Sequence, residues 1–69
     1  MTKRGAAIER AILERLARGP VPTTRLLLEL GLSYGGLTRA LARLTVRERV
    51  RCRREEIQFG FPERVWWLT

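Results

Sequence analysis

The chemistry open to this 69-residue chain is set by its arginines: thirteen of them, against one lysine (Lys3) and no histidine. Seven fall within residues 39–54, at positions 39, 43, 47, 49, 51, 53 and 54, with Glu48 the one acid among them. That segment carries nearly all of the net charge of +7, and the rest of the chain is close to neutral. Arginine presents a planar fork of donors that matches phosphate oxygens and the guanine edge in a bidentate way, which lysine does not. A concentrated patch of this kind attracts polyanions. The absence of Asn and Asp gives the composition a thermophile-like cast. Together with GC-rich coding this accounts for part of the preference for Arg over Lys. It does not account for the clustering.

Other chemistry is poorly served. Without histidine the chain lacks the commonest general base and the commonest metal ligand. The single cysteine, Cys52, permits neither an internal disulfide nor a cysteine-rich zinc site. The adjacent Glu55 and Glu56 are the nearest approach to paired carboxylates, and no nucleophile motif accompanies them. The expectation is a non-enzymatic protein with no cofactor, no metal and no evident small-molecule site. The apolar runs are too short for a membrane span or a signal peptide, so a cytoplasmic location is the default. A hydrophobic fraction of 45% predicts a folded chain, and 69 residues make one domain with a small core.

Hydrophobic spacing supplies the elements that must position the arginines. Residues 1–5 read as a frayed basic end. A first helix is predicted over 6–18, with Ile8, Ala11, Ile12 and Leu16 inward, Leu13 widening that face, and Glu9 and Glu14 outward. Glu14 and Arg18 form an i, i+4 pair in the favourable order. Gly19-Pro20 ends the helix. A second helix is predicted over 23–30, capped or opened by Pro22 or Thr23, with Leu26, Leu27 and Leu30 buried, Leu28 half exposed and Gly31 as its stop. Leu32 tucks into the core from the turn.

Ser33 caps a third helix over 34–47, in which Leu37, Ala40, Leu41 and Leu44 fall at i, i+3, i+4 and i+7. Two adjacent glycines, Gly35 and Gly36, weaken its start. Either they let a large partner approach the helix end, or they only lengthen the turn and the helix begins at Leu37. After it the period changes from 3.6 to 2: Val50 and Cys52 alternate with Arg51 and Arg53. A Gly/Pro turn and the segment "RVWWLT" complete a hairpin over 50–68.

The ordered set formed by "LLLELGLS", the helix with Thr38 and Arg39 outward, the basic strand "RVRCRR" and the closing "VWWLT" resembles the winged helix-turn-helix family of DNA-binding regulators. The resemblance covers about residues 6–69. It implies a mainly α domain of three helices and a two-stranded β-hairpin wing. It also implies sequence-specific binding of double-stranded DNA, with the third helix in the major groove. The groove-facing positions would be Ser33, Tyr34, Gly35, Gly36, Thr38 and Arg39, with Arg43 near the backbone. The wing would reach the flanking backbone or minor groove through some of Arg53, Arg54 and Arg64. A homodimer is expected, since one such module reads few base pairs.

Two departures stand out. Related domains often have Gly where this chain has Glu48, and the wing tip carries Phe59, Phe61 and Glu63 in place of more basic residues. The Z-form-binding branch of the family is disfavoured by Thr38 and Ala42, where it needs Asn and Tyr.

Some residues have two readings from sequence. Arg47, Arg49 and Arg51 either touch phosphate or complement the helix C-terminus. Trp66 and Cys52 read as core residues. If Trp66 is buried, Trp67 faces outward, where it contacts a partner or second copy, or packs on a neighbouring element. Phe59 and Phe61 either meet a protein partner or clamp the hairpin. These aromatics support an alternative function, a winged-helix protein–protein adaptor with no specific DNA target.

Overall fold

The elements run α1 (Lys3–Leu16), β1 (Val21–Pro22), α2 (Thr23–Leu30), α3 (Tyr34–Val46), β2 (Val50–Gln58) and β3 (Phe61–Leu68). The structure, a computed structural model, describes the backbone of residues 3–58 and 61–69 and the side chains of 5–55 and 62–69. Three helices pack against one face of a small antiparallel sheet of order β1-β3-β2. The core takes Ile12 and Leu16 from α1, Val21 from β1, Leu26 from α2, Leu37, Ala40, Leu41 and Leu44 from α3, Val50 from β2 and Trp66 from β3. All four apolar positions predicted for α3 are buried. Leu32 and Cys52 pack against this core from its edge, as expected.

The helix bounds follow local chemistry. α1 starts at Lys3, not at residue 6, because no proline or cap interrupts 3–5; the helix runs through residues expected to fray. It ends at Leu16, not at residue 18. Arg18 N–H and Gly19 N–H bond three residues back, to the carbonyls of Arg15 and Leu16, which tightens the last turn. α2 occupies its predicted span and stops at Gly31, whose φ of 62° is the left-handed conformation that glycine adopts without a Cβ penalty. On α2, Leu28 is 77% exposed, more than its predicted half.

Three features correct the sequence reading. First, the two-stranded wing hairpin of β2 and β3 is joined by a third strand: β1 pairs with β3, with Val21 opposite Trp66 and Pro22 opposite Val65. Two residues are too few to show a period, and Pro22 fits only at a sheet edge. Second, Glu9 does not face solvent. It is 4% exposed and lies between α1 and α3. Third, Glu14 and Arg18 form no ion pair among the described residues. Instead Arg15 reaches Glu29 at 3.0 Å and ties α1 to α2. The Arg15 guanidinium holds the Glu29 carboxyl below its ordinary range, chiefly through this hydrogen bond.

Glu48 explains how the chain manages without the usual glycine. It has φ of 58°. Its N–H bonds to the Thr45 carbonyl and that of Arg49 to the Leu44 carbonyl, each at 2.9 Å. These two bonds form a Schellman motif closing α3, with Glu48 in the left-handed position that glycine normally takes.

Candidate nucleic-acid interface

α3 begins at Tyr34, so both glycines lie inside its first turn. Ser33 is the N-cap: its Oγ accepts from the Gly36 N–H at 3.1 Å and its carbonyl accepts from the Leu37 N–H at 3.0 Å. The N–H groups of Tyr34 and Gly35 have no partner among the described residues and point out of the helix end. Ser33, Tyr34, Gly35 and Arg39 are exposed, and Gly36 and Thr38 are half-buried. The Thr38 hydroxyl donates back to the Tyr34 and Gly35 carbonyls, at 2.9 and 3.2 Å, which fixes its rotamer. Arg39 makes no ion pair or hydrogen bond with any described residue, so its guanidinium is available.

The wing approaches this turn with two of its arginines. In the β2–β3 register Cys52 faces Trp66, Arg53 faces Val65 and Arg54 faces Arg64. Side chains alternate across a strand, so Arg54 and Arg64 share the sheet face of Cys52 and Trp66, the face that packs on the helices. Arg53 is on the opposite face, paired with Glu55. The predicted trio of wing arginines is therefore split. Arg54 and Arg64 border one depression together with Tyr34, Thr23 and Thr24, while Arg53 points away from it. Two guanidiniums directly opposite each other on a ladder repel. Arg64 has only a weak contact with the Cys52 Sγ, at 3.5 Å, and Arg54 has no ion pair among the described residues. A groove lined by Thr38, Leu41, Ala42, Thr45 and Val46 continues this surface along α3.

The N-terminus of α2 locks the wing in place. Its N-cap is Pro22, which has no side-chain bond to give. The Glu63 carboxylate from β3 accepts from the Thr24 N–H in its stead. Thr23 Oγ1 donates to the Arg64 carbonyl at 3.0 Å and accepts from Trp66 Nε1 at 2.8 Å. These bonds give Glu63, one of the residues that make the wing tip less basic than many, a role within the fold: its carboxylate caps a helix.

Arg43 does not stand free beside Arg39. Its Nε donates to Glu9 Oε2 at 3.2 Å, and Arg47 Nη1 donates to Glu9 Oε1 at 2.7 Å. Sequence reasoning missed Glu9, although a signal was present: it sits three residues before Ile12 and seven before Leu16, on the inward stripe. Trp67 is half-buried opposite Arg51 and borders a hollow with Thr45, Val50 and Thr69. Phe59 and the Phe61 side chain lie outside the described residues. No helix among the described residues is long and apolar enough to cross a membrane.

No protein-family model and no curated protein sequence matches the chain. Solved structures do. A doubly substituted form of ZitR from Lactococcus lactis superposes with a TM-score of 0.79 and 25% identity over 91% of this chain. A PadR-like transcription factor from Bacteroides fragilis gives a TM-score of 0.84 and 22% identity over 96% of this chain. This chain spans 42% of the former and 69% of the latter. The order of three helices and a hairpin, the capped first turn of α3 and these superpositions agree: the chain has the winged helix-turn-helix fold.

Proposed function

We propose that this domain binds double-stranded DNA as a sequence-specific transcription regulator and acts as a homodimer. The first turn of α3 enters the major groove, with Arg39 on a base edge and Ser33, Tyr34, Gly35 and Thr38 lining the approach. Arg54 and Arg64 of the wing grip the flanking phosphates. One observation carries this reading: Arg54 and Arg64, opposite each other on the β2–β3 ladder, border one depression with Tyr34 at the open first turn of α3. A phosphate there would neutralise two like charges on one sheet face. The PadR-like neighbour is itself a transcription factor, which supports the same reading.

The test is fluorescence anisotropy with a labelled duplex, titrated at several salt concentrations. Each phosphate neutralised contributes a slope of about −0.9 in log K against log salt. Arg54 and Arg64 therefore predict about −1.8 per protomer, doubled in a dimer. With a selected site in hand, Arg39→Ala should reduce discrimination at one base pair by about 1–3 kcal/mol and leave the melting temperature unchanged. No binding at low salt would overturn the reading and leave the basic surface to a protein partner.

A further inference from the structure

Glu9 is the one buried charged side chain among the described residues; one of its partners, Arg43, lies in the last turn of α3 and the other, Arg47, is the residue that caps the C-terminus of that helix. Each carboxylate oxygen serves a different guanidinium, Oε1 that of Arg47 and Oε2 that of Arg43. The two arginines sit one helical turn apart, so a single carboxylate spans the α1-facing edge of α3. The Glu9 side chain is 5% exposed, whereas those of Arg43 and Arg47 are 38% and 48% exposed. The arginines are therefore held near the surface, not sealed beneath it, and what keeps them from other anions is Glu9.

We infer that Glu9 is a positioning residue for DNA recognition, an inference that rests on the function proposed above. It sets the angle of α3 against α1 and withholds Arg43 and Arg47 from phosphate. Sequence-independent attraction is thereby kept low, and Arg39 is the α3 arginine left to read DNA. Two of the seven arginines of the basic segment are thus scaffold, not ligand.

The substitution Glu9→Gln tests this. The amide keeps the shape and one acceptor oxygen but loses the charge and the second acceptor. Binding to a labelled duplex of mixed sequence is measured across a salt series for wild type, Glu9→Gln, Arg43→Gln and Arg47→Gln, with circular dichroism confirming that each variant is folded. In Glu9→Gln the salt slope should steepen by about 0.9 for each guanidinium that reaches a phosphate. The affinity advantage of the variant then grows, for each such guanidinium, about eightfold for every tenfold fall in salt. Arg43→Gln and Arg47→Gln should leave the wild-type slope unchanged. A merely structural role for Glu9 would change stability without moving the slope. A folded Glu9→Gln with the wild-type slope overturns the inference. So does a shallower slope in either arginine variant, and this arm decides the matter if Glu9→Gln fails to fold. If wild type does not bind duplex at all, the proposed function fails together with this inference; binding with the wrong slopes removes this inference alone.

Discussion

Replacing Glu48 with glycine should stabilise the domain although it deletes a charged side chain. Glu48 has φ of 58°, and an L-residue with a Cβ pays about 1–2 kcal/mol to hold that conformation. Glycine removes the penalty but gives back about 0.5–1 kcal/mol through its larger unfolded-state entropy. The lost carboxylate matters less. It is exposed, makes no ion pair among the described residues, and screens Arg47 and Arg49 by at most a few tenths of a kcal/mol. The hydrogen bonds at this position use the backbone: the Glu48 N–H reaches Thr45, and its carbonyl accepts from Thr69 Oγ1 at 2.8 Å. Glycine keeps both. The net gain is about 0.5–1 kcal/mol, or about 2–8 °C in melting temperature for a domain of this size. Thermal melts of wild type, Glu48→Gly and Glu48→Ala at low and high salt separate backbone from charge. Alanine keeps the strain and loses the charge, so it should melt at or below wild type. If glycine melts no higher than alanine, the left-handed strain assigned to Glu48 is absent and the argument fails.

Two further outcomes follow from the hydrogen bonds. Thr23→Val keeps the shape of the side chain but strips the partner from the part-buried Trp66 Nε1, and should cost about 1–3 kcal/mol in urea denaturation while loosening the wing. Because the Arg15 interaction lowers the pKa of Glu29, its contribution is present above the ordinary carboxylate value of 4.5 and is lost as pH falls through the lowered folded value; a Glu29→Gln variant should show a shallower loss of stability in that acidic window, tracked by melts across pH.

What was legible in the sequence is whatever repeats along one element. Leu37, Ala40, Leu41 and Leu44 declare α3 because a 3.6-residue period has three turns in which to show itself. Gly31 marks the end of α2 because a left-handed residue there is nearly always glycine. The splitting of Arg53 from Arg54 was also written in the chain: Val50 and Cys52 point inward, so parity puts Arg54 with them. Pairings between distant segments were not legible. Whether Glu9 meets solvent or two arginines depends on how α1 crosses α3, and local spacing does not encode that angle. β1 is defined only by the edge of β3 beside it. The Glu63 cap on α2 joins residues thirty-nine positions apart, so neither segment reveals it alone.

The two glycines opening α3 look alike in sequence but differ in what holds them there. A Cβ on Gly36 would lie 3.1 Å from Ser33 Oγ, the atom that caps the helix through the Gly36 N–H. A methyl there presses on the cap, so the fold itself gives a reason for that glycine. A Cβ on Gly35 would meet nothing within 4 Å, and φ is not positive. The chain has no internal use for glycine at this position, where alanine would strengthen the helix by up to about 1 kcal/mol. The proposed DNA contact supplies a reason from outside: the N–H groups of Tyr34 and of Gly35 itself have no partner among the described residues, and Arg39 lies one turn on. Gly35→Ala should raise the melting temperature and weaken duplex binding, the two effects opposite in sign. If the variant melts higher and binds DNA as tightly as wild type, the helix end does not approach the duplex closely, and Gly35 has no role in recognition.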